Sequence, residues 1–106
     1  MNTTWNITKM IRYQSTGLVY EVQYRIISTI EEFTYTDFGV VTIEGNPSSP
    51  DFIPYEDLKE NIVLEWVKDV LGVSGVDSIE NTQYMILQEM INTAQNPSAT
   101  GLPWER

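Results

Sequence analysis

The chain has 106 residues, enough to bury one modest core and too few for two independent domains. Its 15 acidic against 6 basic side chains give a formal net charge of −9, the opposite of the basic footprint that phosphate binding requires, so nucleic acid is excluded as the expected partner. The sequence contains no cysteine and no histidine, which removes disulfides, thiol nucleophiles, thiolate or imidazole metal ligation and the usual proton shuttle.

Residues Thr3 to Tyr13 alternate, with Trp5, Ile7, Lys9 and Ile11 on one side and Thr4, Asn6, Thr8 and Met10 on the other. That period, rich in β-branched and aromatic residues, predicts a first strand. Gln14-Ser15-Thr16-Gly17 is a hairpin-length turn cluster, so the next strand pairs antiparallel to the first. In that second strand Leu18, Tyr20, Val22, Tyr24 and Ile26 point one way and Glu21, Gln23 and Arg25 the other, as in a sheet with one wet face. After a turn at about Thr29 to Glu32, a third strand is expected from Phe33 to Ile43. Its inward side is Phe33, Tyr35, Val41 and Ile43, and Gly39 marks a bulge or a close backbone approach.

Gly45-Asn46-Pro47-Ser48-Ser49-Pro50 is a breaker-rich connection, after which the period changes from two to nearly four. From about Tyr55 to Leu71, Leu58, Ile62, Trp66 and Val70 form an apolar stripe widened by Val63, Val67 and Leu71, predicting a helix packed on the sheet and stopped at Gly72. Trp66 is expected in the core. Ser74 or Asp77 can cap a second helix that buries Ile79, Gln83, Ile86, Met90 and Ala94 and ends at Asn96-Pro97. The fold class expected is therefore α+β in the order β-β-β-α-α: a three-stranded antiparallel sheet with two C-terminal helices packed on one face. Residues 1–97 form a single domain, and residues 98–106 an extended C-terminal tail.

Carboxylates are the abundant reactive groups, in Glu31-Glu32 with Asp37 and in Glu56-Asp57 with Glu60. Paired carboxylates can hydrolyse glycosides only across a cleft that drives their protonation apart, and one small sheet with two helices offers little room for it. Neither cluster has the alternating ligand pattern of a calcium loop. A Ser or Thr nucleophile would have only Lys9, Lys59 or Lys68 as a base, and no glycine-rich phosphate cradle is present. No catalytic residue, metal ligand or cofactor is expected. No apolar run approaches the ~20 residues of a membrane span, and the start MNTTWNITKM lacks the layout of a signal peptide, so a soluble cytoplasmic protein is expected, with no membrane partner.

Binding features are better represented. Gly101-Leu102-Pro103-Trp104 sets a large aromatic anchor on a semi-extended backbone after a helix stop, the form of an arm that fastens a small protein to a neighbour. Leu102, Pro103 and Trp104 are thus the candidate partner-binding residues, for a protein partner or for a second copy of the chain.

Thr4-Trp5-Asn6-Ile7-Thr8-Lys9-Met10, Phe52-Ile53-Pro54-Tyr55-Glu56-Asp57-Leu58, Trp66-Val67-Lys68 and Gln95-Asn96-Pro97 with Gly101-Leu102-Pro103-Trp104 together resemble a family of small uncharacterised proteins of marine bacteriophages, especially those infecting cyanobacteria. The resemblance spans nearly the whole chain. It implies a viral origin and carries no assigned activity or catalytic residue. Joined to the arm and the open sheet edges, it leads to the expectation of a non-enzymatic virion accessory protein, such as a capsid decoration (cement) subunit or a small tail or neck subunit. Such a protein would be found in the host cytoplasm during infection and then in the virion. The alternative is a host-takeover protein that binds and modulates a host enzyme.

Overall fold

The structure, a computed structural model, describes residues 1–50, 52–97, 99 and 101–104. Three strands, β1 (Asn2–Arg12), β2 (Val19–Ile30) and β3 (Phe33–Thr42), form one antiparallel sheet in the order β1-β2-β3. A short 3-10 turn (Tyr55–Asp57) and a helix, α1 (Glu60–Gln95), follow.

The expected β-β-β-α-α order is corrected at its C-terminal half. One helix of 36 residues replaces two, and neither Ser74 nor Asp77 caps anything, because the helix runs through both. It is not straight. Gly72 has φ 74 and ψ 167 inside it, a conformation essentially confined to glycine, so the residue expected to end a helix instead bends one. The bend lets both halves use the same sheet. Val63 and Val67 from the first half are buried with Trp5, Val19, Val22, Tyr24, Ile26 and Val41, and Val76 and Ile79 from the second pack against that cluster. Ala94, expected on the buried face, is exposed. The helix also begins later than the periodicity implies, at Glu60, because Pro54 to Asp57 closes into the tighter turn first.

Bulges revise the inward-facing residues of the sheet. Trp5 pairs with Ile26 and Ile7 with Tyr24, but Lys9 then pairs with Gln23 and Met10 with Val22, leaving Thr8 as the extra residue. A one-residue bulge exchanges the two faces of a strand. Strict alternation would have driven Lys9 and Ile11 into the core; the bulge turns Lys9 out to solvent and brings Met10 in. A second irregularity, between the pairs Ile11–Glu21 and Arg12–Val19, does the same to β2. Val19 is buried while Leu18 and Tyr20, expected to face inward, are half-buried.

On β3 the residues opposite the buried Val22, Tyr24, Ile26 and Ser28 are Val41, Gly39, Asp37 and Tyr35. The expected close approach at Gly39 is present. A Cβ there would stand 2.8 Å from Tyr24 Cε2 and nearer still to Cζ and the hydroxyl, so the tyrosine ring occupies the space a side chain would fill. The β2–β3 turn has Glu31 at φ 54, a left-handed conformation that costs a non-glycine residue about 1–2 kcal/mol.

A buried polar cluster joins helix to sheet. The Gln83 side chain is 1% exposed; its Nε2 donates to the Ile26 carbonyl at 3.1 Å, and its Oε1 accepts from the Ser28 hydroxyl, which also meets Thr3 Oγ1 at 3.0 Å. Trp5 Nε1 donates to Glu80 Oε1 at 3.0 Å. Buried polar groups are costly unless paired, so these bonds admit one position of the helix along the sheet.

Candidate binding site

Two features bring together residues that folding leaves uncovered. The first is the C-terminal arm. Trp104 is 76% exposed and Leu102 46%, Pro103 is exposed, and Pro103 and Trp104 lie in a turn. The arm follows a helix whose last turn is closed by Asn96, which donates its backbone N–H to the Asn92 carbonyl at 2.8 Å; Pro97 then prevents its continuation. The sequence-expected binding residues are therefore adjacent and accessible. Ser98, Thr100, Glu105 and Arg106 of the expected tail lie outside the described residues.

The second feature is a cleft of about 590 Å³ that the sequence did not single out. Gly17 and Leu18 with Val19 at the start of β2, the end of β3 with Glu44 and Gly45, and the first half of α1 enclose it, and Asn46, Ser49, Phe52 and Ile53 of the connection form a further wall. Local turns hold that wall in place. Asn46 Oδ1 accepts the Ser48 N–H at 2.9 Å, the Asn46 carbonyl accepts the Ser49 N–H at 3.0 Å, and the Ser49 carbonyl accepts the Phe52 N–H at 3.0 Å. Tyr55 packs against the hairpin glycine, since a Cβ on Gly17 would meet Tyr55 Cβ at 3.4 Å, and the Arg12 guanidinium lies 3.7 Å from the centre of the Tyr55 ring, a cation–π contact.

Trp66, expected in the core, packs against the core cluster but is only half-buried, its remaining surface lining the cleft. Val63 and Val67 take the centre of the apolar stripe, which rotates Trp66 and Val70 to its edge, and Val70 is 53% exposed. The signal that could have located the cleft is the pair Phe52-Ile53. Bulky apolar residues in a connection of turn formers must cover something, and here they cover the gap between the sheet end and the helix.

The carboxylate clusters stay apart from both features. Glu31 and Glu32 are exposed at the β2–β3 turn, and Glu56 and Asp57 at the short 3-10 turn. Glu60 spends its carboxylate on the sheet edge, accepting the Ile7 N–H at Oε2, 3.1 Å away. Asp37 lies beside Tyr24, whose hydroxyl is held above its ordinary pKa of 10.0 first by burial and then by the Asp37 charge. Among the described residues no three Asp or Glu side chains gather into a metal-holding group, and no helix is long and apolar enough to cross a membrane.

The sequence model of the domain of unknown function DUF7936 matches residues 1–104. The chain belongs to this family. No curated protein and no solved structure matches it significantly. The family match spans the sheet, the helix and the arm through Trp104, so the arm is part of the matched unit.

Proposed function

We propose that this member of the DUF7936 family is a non-enzymatic binding protein that acts through protein–protein contacts, and more specifically a bacteriophage virion accessory subunit of the capsid-decoration, tail or neck kind. The observation that carries the reading is the arm: an aromatic and an aliphatic anchor, Trp104 and Leu102, exposed next to one another beyond the helix stop. Aromatic side chains of this kind dominate the energetics of protein interfaces when they enter a pocket on a partner. The resemblance to small marine bacteriophage proteins supports the virion assignment.

A second reading, a protein that binds and modulates a host enzyme, is favoured by the net charge of −9, which suits occupation of a basic surface. Mass spectrometry of purified particles separates the two. Stoichiometric presence of the chain in the particle is the expected result. Its absence from particles, with capture of a host enzyme during infection, assigns the second reading.

A further inference from the structure

We infer that the cleft between the β1–β2 hairpin, the end of β3 and the first half of α1 is a receptor for an unrelated partner's peptide segment that joins an apolar anchor to lysine or arginine. This rests on the reading of the chain as a protein-binding subunit and names the chemistry of one partner.

The cleft has the volume of a ligand site, about 590 Å³ where such sites run from roughly 300 to 1,000 Å³. Its apolar surface is fixed before anything binds, because Trp66 and Val70 project from a helix anchored through the fully buried Val63 and Val67. A half-buried tryptophan on a rigid element, with exposed aliphatic surface beside it, is the composition of an interface anchor site. Charge decides what enters. Glu44 and Asp69 line the cleft from its sheet and helix sides, both are exposed, and among the described residues no lysine or arginine lines it. An acidic rim around an apolar floor is complementary to a cationic, apolar segment and repels an acidic one.

The chain's own arm does not qualify as the occupant. Glu80 bonds Trp5, level with Ile26, and Gln83 bonds Ile26 and Ser28, so the second half of α1 advances along β2 toward the β2–β3 turn. From Gln83 to Gln95 it continues about 18 Å further, while β2 from Ser28 back to Val19, at the cleft, covers about 30 Å. Residues 96–104 reach at most about 32 Å fully extended, short of the roughly 48 Å required. A second copy would bring the arm in trans, but with another net charge of −9, and in the arm's sequence the charge of Arg106 is offset by the adjacent Glu105.

The test is an NMR titration of the full-length protein with two probe peptides: a Leu-Trp pair flanked by lysines, and the same pair flanked by glutamates. The lysine peptide is expected to shift the amides of residues 42–45 and the Trp66 indole. Its affinity should fall several-fold between about 30 and about 300 mM salt, as the Debye length shrinks, and by about ten-fold or more in Glu44→Lys/Asp69→Lys. Both positions are exposed, and Glu44→Gln/Asp69→Asn, expected to weaken binding less, serves if the reversal unfolds the protein. Equal binding of the glutamate peptide, undiminished binding to both variants, or cleft signals unmoved by the lysine peptide would overturn the inference. So would shifts at the same residues that grow with protein concentration and salt in the absence of peptide, which would assign the cleft to a second copy's arm. The protein-binding reading fails separately, if the arm proves dispensable for particle attachment; arm-dependent attachment with a silent cleft overturns only the present inference.

Discussion

Gly39 shows how a single residue position couples sequence to packing. A glycine in a strand leaves a gap on one face, and the Tyr24 ring opposite fills it, stacking on Trp5 with ring centroids 5.6 Å apart. Gly39→Ala forces a Cβ into that ring, and overpacking of this kind costs about 1–3 kcal/mol. Chemical denaturation should show that loss, and show most of it removed in a Tyr24→Leu background, since the clash is with the ring. Tyr24 also predicts an alkaline transition. Its folded pKa is raised above 10.0 by burial and then by Asp37, so the native state holds the phenolic proton more tightly than the unfolded chain does. The resulting stability is complete below the unfolded value and is lost as pH rises through the folded one. Ultraviolet titration should find a late-titrating component that is absent in Tyr24→Phe, with stability declining above about pH 10. The glycine was visible in the sequence as a close-approach position. Its partner was not, because the register of the unbroken β2–β3 pair is set by its turn, which the sequence located only to about Thr29 to Glu32.

Among the elements, the strands were legible from alternation and from their turn clusters, and the apolar stripe of the helix from its four-residue spacing. Alternation misassigned Lys9, Ile11, Leu18 and Tyr20 because each lies beyond or beside a bulge, where one extra residue reverses the faces. The helix count was misread for a related reason. Gly72 reads as a stop, and helix stops and bends both use positive φ at glycine; which one results depends on whether sheet surface remains for the following residues to cover. Here Val76, Ile79 and Gln83 find it. Gly72→Ala should therefore destabilise the protein by about 1–3 kcal/mol through backbone strain alone, as nothing lies within 4 Å of the position a Cβ would take. Thermal unfolding by circular dichroism should show a melting temperature lower by about 4–8 °C for each kcal/mol lost; an unchanged melting temperature would mean that the bend does not require its present backbone geometry.

As a whole the molecule is elongated. It measures 74 × 24 × 22 Å with a radius of gyration of 20.0 Å, against about 13 Å for a compact domain of this length. The elongation is consistent with the second half of α1 advancing along β2 from the kink at Gly72 and continuing past Ser28. The exposure of Trp104 was legible in the sequence because a tryptophan after a helix stop, outside any periodic pattern, has no position in a regular element. The cleft was not, because it is made by three segments distant in the chain. In the proposed role of an accessory subunit, the arm would fasten the protein while the cleft stays open. The most direct test of the proposed role is quantitative co-sedimentation of the purified protein with particles of the bacteriophage proposed as its source, comparing the natural sequence with Leu102→Ala/Trp104→Ala. Both side chains are largely exposed, so the melting temperature should not change, while retention on the particle should fall by ten-fold or more, consistent with anchors worth about 2 kcal/mol or more. Equal retention of the two proteins would contradict the account.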